Sequence, residues 1–209
     1  MMHWLFTEAL IDERTEDPDR FRIGSLLPDA YENPISRRTT HFVKRIENED
    51  GSVLRFCQFD VFLARFEEKI RTDDLYRGYA MHLAEDAVTR AFWKKENLRI
   101  PPPPQGAEML HSDYHLLNRY LVETRSLRFH ARIPVGLARE EIMAVYPFDL
   151  PSFLKEFEKD FHDPAKGELQ ILSIPFTEQM IAEAMPILRQ IKEDLLRENK
   201  MPEPSRFVW

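Results

Sequence analysis

The stretch from Leu75 to Trp93 reads as one helix, and within it His82 and Asp86 stand four residues apart. Residues at i and i+4 share a helix face, so an imidazole and a carboxylate placed this way can point at one ion. Three more metal-preferring residues, His3, Asp29 and His41, precede them. Asp29 follows Gly24-Ser-Leu-Leu-Pro28, and His41 ends the run Arg37-Arg-Thr-Thr40. Both sit where loops bring side chains onto a scaffold. Mixed imidazole and carboxylate sets suit zinc and similar ions. The pentad predicts a helical scaffold holding a metal centre, and points to metal-dependent hydrolysis.

A chain of 209 residues with 43% apolar side chains is long enough to bury a real core. Its net charge of −7 argues against tracking along nucleic acid, which needs a basic face, so no stable nucleic-acid binding is expected. A phosphate-ester substrate stays open, because bound cations invert the local field. The single Cys57 excludes an intramolecular disulfide and a Cys-rich zinc module. No apolar run reaches transmembrane length, and the start has no signal-like stretch. The expected home is the cytoplasm, without a transmembrane anchor.

Helix signals dominate the rest. Trp4 to Asp12 is a short amphipathic segment, broken by Asp17-Pro18-Asp19, and Phe21 to Asp29 is a second apolar stretch. Residues 30–50 read as loop, and Ser52 to Phe56 as a brief extended piece. Phe59, Phe62, Leu63, Phe66 and Ile70 line one helix face; such Phe-rich stripes are core. Asp73 is placed to cap the His82 helix, which runs to about Lys95. After the polyproline spacer Pro101–Pro104, Ala107 to Arg125 is a helix carrying His111, Asp113 and His115. Leu127–Ile133 and Leu169–Ile174 read as short strands, with a helix over Pro151–His162 between them. Thr177 to Asn199 closes the chain as a helix capped by Thr177 and bent near Pro186. The fold class is mainly α with short strands in the C-terminal third. Residues 1–125 form the metal-binding helical core and 126–209 an extension packed on the same domain.

The ordered series Gly24-Ser-Leu-Leu-Pro-Asp29, Thr40-His41-Phe42 and Gly78-Tyr-Ala-Met-His-Leu-Ala-Glu-Asp86, with His3-Trp4 ahead of it, resembles the zinc-dependent phospholipase C family. That family shares the helical fold of bacterial phospholipase C and S1/P1-type nucleases. The resemblance covers roughly the first 120 residues. It implies one ion held by Asp29, His41, His82 and Asp86, and a second that takes His3 and shares Asp86 as a bridge. Asp29 and Asp86 are thereby the carboxylates of catalysis. Zinc is the implied metal, as two or three ions, with manganese or iron acceptable to two carboxylates. The ions would activate a water and stabilise phosphoryl oxygens. The implied substrate is a small phosphate ester or a lipid-like one. Phe92-Trp93 stands where the family has another His, and His111 and His115 are the candidates for a further metal position.

Other residues carry competing readings. Asp60 is a helix cap or a partner to a ligating His. Glu85 lies about 100° round the helix from Asp86 and is expected to point away. Arg37-Arg38 suits an anionic substrate or plain surface charge, and His130 and His162 read as structural or exposed. Two alternatives to the hydrolase stand. One is a non-catalytic protein keeping a structural metal clasp. The other is an HD-type phosphohydrolase, for which the only adjacent pair is His162-Asp163. The last third is expected to shape the pocket, cover it, or form a homodimer contact.

Overall fold

Helix α5 (Asp74–Lys95) is the axis of the protein. The computed structural model describes residues 1–33, 36–162 and 166–209. From Leu75 to Val88 only Arg77 and Asp86 escape full burial, so α5 is packed on almost every side. Its first turn is capped by Asp73, whose carboxylate accepts the Leu75 N–H at 2.9 Å. Lys94 and Lys95 sit at the C-terminal end, where the helix dipole favours cations.

Helix α2 (Pro18–Leu26) meets α5 across two glycines. A Cβ on Gly24 would lie 1.9 Å from the Leu75 carbonyl oxygen, and one on Gly78 would lie 2.1 Å from that of Phe21. Neither position admits a side chain, and the backbones therefore touch. Helix α1 (Met2–Leu10) packs on both α2 and α5. Helix α4 (Phe59–Thr72) contributes an aromatic face, with Phe62 stacked on Tyr79 at 5.1 Å. Helix α9 (Ile174–Glu198) lays Ala184, Leu188, Ile191 and Leu195 into the core beside α5. The main core draws on residues from Trp4 to Phe207, so both ends of the chain build it. A second cluster joins Phe92 and Trp93 to Leu110 and Leu117 of α6 (Gln105–Arg125), with Leu172 and Met180.

The described residues are mainly helical, and their strands lie away from the C-terminal third. A hairpin forms from β1 (Val43–Glu47) and β2 (Val53–Cys57), with Val43 opposite Cys57 and Glu47 opposite Val53. Asn48 and Ser52 close the turn by a backbone bond of 2.9 Å, and Gly51 takes φ +79° within it. The segment expected as loop thus holds β1 and a short helix, α3 (Arg37–Thr40). Leu127–Ile133 is irregular instead of extended in a sheet: Trp4 donates to the Arg128 carbonyl, and Phe129 packs among Trp4, Phe157 and Phe161. Leu169–Ser173 is not a strand either. The Asp113 carboxylate takes the N–H groups of Gln170, Ile171 and Leu172 at 2.7–2.8 Å, which a ladder would need.

Three helix ends also differ from expectation. Asp17-Pro18 starts α2, with Asp17 accepting the Arg20 N–H. Ser173, not Thr177, caps α9, and Pro175 occupies its first turn. The cap position of α4 is Gln58, which leaves Asp60 exposed in its first turn. Pro186 lies inside α9. Among the described residues no helix is long and apolar enough to cross a membrane.

Candidate metal centre

His41 and His82 define the site. His82 is fully buried, and its Nδ1–H donates to the Ser25 carbonyl at 2.7 Å. The glycine contact between α2 and α5 makes this reach possible, since Ser25 follows Gly24 directly. His41, just past α3, donates its Nδ1–H to the Arg37 carbonyl at 2.9 Å. Carbonyls only accept, so each Nδ1 carries a proton, and in a neutral ring each Nε2 presents a lone pair. A charged His41 would instead offer an Nε2–H to Asp29 Oδ1 at 3.2 Å or to His82 Nε2. The two Nε2 atoms face each other at 3.3 Å. Two neutral acceptors gain nothing from such an approach. Two nitrogens roughly 2.0–2.1 Å from a tetrahedral zinc ion would lie about 3.3–3.4 Å apart.

The aspartates surround this pair. Asp29 ends the 3₁₀ turn Leu27–Asp29, which is tied to α3 by the Thr40 hydroxyl donating to the Pro28 carbonyl at 2.9 Å. Its Oδ1 lies 3.2 Å from His41 Nε2 and its Oδ2 lies 3.9 Å from His3 Nε2. Asp86 straddles the same two rings, with Oδ1 at 3.5 Å from His3 Nε2 and Oδ2 at 4.0 Å from His41 Nε2. His3, from α1, stacks on His82 with ring centroids 3.9 Å apart. Among the described residues, two sets bring ligand atoms within 4.8 Å of one another: His3, Asp29 and His82, and His41, His82 and Asp86.

Glu85 completes the constellation. It is fully buried, accepts the His3 Nδ1–H on Oε2 at 2.7 Å, and has no hydrogen-bond partner for Oε1 among the described residues. Position 85 lies three after His82, and i+3 shares the face that i+4 does. That spacing is the available signal; measuring only from Asp86 directs the side chain the wrong way.

Charge and burial oppose each other here. Burial disfavours the Asp29 and Asp86 anions, but neighbouring histidines, and Arg90 in the case of Asp86, hold both carboxyls well below their usual range. Burial also lowers the His3 imidazole, yet Asp86, Glu85 and Asp29 outweigh it and lift it to about 10. His82, pressed by burial and by the charge of His3, falls to about 3 and is neutral. Burial pushes Glu85 up to about 7 against the pull of His3.

The site opens onto a cleft of about 340 Å³ lined by Arg37, Arg90, Tyr114 and Trp93 among others. Asp29 and Asp86 remain 32% and 22% exposed, so the carboxylates are reachable. His111 and His115 line the same cleft from α6, yet neither belongs to a metal-capable set among the described residues. α6 packs inward through Leu110, Asp113 and Leu117, which leaves both histidines exposed; His115 bonds Asp160 at 3.1 Å. His162 is exposed, and Asp163 falls outside the described residues. Compared with protein-family models, curated proteins and solved structures, the chain matches none.

Proposed function

We propose that this protein is a hydrolase of phosphate esters that uses divalent ions of the zinc type. The reading is carried by the facing Nε2 atoms of His41 and His82, whose separation in the neutral rings fits a shared cation. Asp29 and Asp86 supply anionic oxygens around the same point, and each also reaches His3, so a second ion beside His3 is part of the proposal. The resemblance of the ordered motifs to the zinc-dependent phospholipase C family supports the same assignment. Bound ions of this kind supply Lewis acidity toward phosphoryl oxygens and lower the pKa of water.

The chain's own part is to hold and orient. The Ser25 and Arg37 carbonyls fix the tautomer and the ring plane of His82 and His41. Glu85 does the same for His3. The carboxylates face a cleft with room for a small ester. A structural clasp would close its ligands away from solvent, whereas this set is open on one side, which favours catalysis. Zinc suits the three imidazoles, and the aspartates would also accept manganese or iron.

The test is metal content by elemental mass spectrometry on protein purified without chelators, beside His82→Gln and Asp86→Asn, with circular dichroism to verify folding. Expected are two ions per chain, depleted in both variants, and hydrolysis of bis(p-nitrophenyl) phosphate that chelation abolishes and zinc restores. Folded wild-type protein that neither contains metal nor takes it up would end the proposal. One tight ion without turnover would replace it with the clasp.

A further inference from the structure

We propose that Arg37 and Arg90 form an anion subsite beside the metal centre that favours phosphomonoester dianions over phosphodiesters. The inference rests on the metal-centre reading above. Arg37 opens α3 four residues before His41, and Arg90 lies four after Asp86 on α5, so each stands one helical turn from a proposed ligand. Both line the cleft. Neither forms a hydrogen bond or ion pair with a carboxylate among the described residues; Arg90 rests over the Trp93 ring at 4.9 Å. By contrast Arg14, Arg20, Arg22 and Arg77 are all matched to carboxylates.

The field around Arg37 comes from Asp29 and Asp86, and Arg90 acts on Asp86. Ions held by those aspartates would consume the arginines' counter-charge and leave two guanidiniums over. A guanidinium fork matches two oxygens of a phosphate, and a monoester offers two negative charges where a diester offers one. Tyr114, which feels both arginines, adds a hydroxyl to the same wall. Leu26, Trp93, Phe153 and Phe157 give apolar room for the ester group. Water adds across the P–O ester bond, releasing an alcohol and inorganic phosphate.

The experiment uses zinc-loaded wild type, Arg37→Gln and Arg90→Gln, with zinc content measured in each. Inorganic phosphate binding is read by calorimetry, and kcat/KM on p-nitrophenyl phosphate against bis(p-nitrophenyl) phosphate. Each variant is expected to keep its zinc, bind phosphate about tenfold more weakly, and lose about tenfold in monoester preference. Glycerol 3-phosphate and a short-chain phosphatidate, run in parallel, tell a soluble monoester from a lipid one. Unchanged phosphate affinity with zinc intact overturns the subsite and spares the metal centre. Loss of zinc from either variant assigns that arginine to metal retention and also overturns it. Wild-type protein that holds no zinc defeats the metal reading, and the subsite with it.

Discussion

Asp113 on α6 and Glu85 on α5 are both fully buried carboxylates, yet their surroundings treat them in opposite ways. Asp113 accepts three backbone N–H groups, one on Oδ1 and two on Oδ2, and so pins the segment ahead of α9. Glu85 uses one oxygen for His3 and leaves the other bare. The buried Lys192 resembles Asp113, with the Leu10 carbonyl, Asp12 and Thr15 around its ammonium. The surroundings of Glu85 repeat its incompleteness, since the neutral His41 and His82 rings would turn lone pairs toward each other. An unsatisfied buried polar group costs about 1–3 kcal/mol. Closed accounting marks a place that holds the fold; open accounting is what the proposed metal site would use at Glu85. The equally bare Asn199 Oδ1 at the end of α9, by contrast, has no candidate ligand beside it among the described residues.

The largest effect should come from the closed site. Asp113→Ala strands three backbone donors, of which the Leu172 N–H is buried, and frees the start of α9. Losing three bonds to a charged acceptor should cost about 3–5 kcal/mol in urea unfolding. Zinc content should not change, because Asp113 lies outside both metal-capable sets. A loss below about 1 kcal/mol would break the comparison from the structural side. The open site should respond to metal. Zinc at about 100 times its dissociation constant adds about 2.7 kcal/mol, a rise of roughly 5–10 °C in Tm. Calorimetry on chelated and zinc-loaded protein should show this gain in the wild type and not in His41→Gln. An equal gain in the variant would remove His41 from the site.

What is legible in the sequence divides along the same line. Helix α5 and its Asp73 cap, and the α4 stripe of Phe59, Phe62, Leu63, Phe66 and Ile70, rest on local spacing, and the structure buries all of those apolar residues but Leu63, which is half-buried. The failure at Leu169–Ile174 is non-local. Its Leu and Ile pattern fits a strand, but its donors go to a side chain 57 to 59 residues away. Strand β1 hides for the opposite reason: Lys44, Arg45, Ile46 and Glu47 are all exposed, so no apolar alternation marks it. The pentad is legible by residue type and order. The carbonyls of Ser25 and Arg37 that orient its rings carry no residue-type signal at all, and Glu85 is visible only when counted from His82.

A smaller effect should separate the metal-free from the loaded site by pH. In chelated protein His3 is lifted to about 10, first against its burial and then by Asp86 and Glu85, while an unfolded His titrates near 6.5. Its stabilising contribution is complete below pH 6.5 and is lost as pH rises through 10. Between pH 8 and 9 the metal-free protein should lose about 1 kcal/mol. Above pH 9 the buried Cys57 thiol, pushed up by burial, adds to the loss. His3→Gln should flatten the slope below pH 9, and zinc should do the same by replacing the proton. A slope unchanged in His3→Gln would show that another group carries it.

The smallest effect tests whether proximity to the cleft is enough. His111 and His115 share its walls with His3 and Asp86, and their spacing on α6 puts them on one face. Neither, however, is buried, and His115 already has Asp160 at 3.1 Å in a solvent-screened pair. His111→Ala and His115→Ala should each shift stability by less than about 0.5 kcal/mol. Zinc per chain should equal that of the wild type in both. Depletion by either substitution would mean that α6 closes on the centre when metal binds, and that the cleft wall belongs with the open site. Unchanged zinc would confine coordination to the ends of α1 and α3, the Asp29 turn and the face of α5, where every candidate ligand already lies within reach of its neighbours.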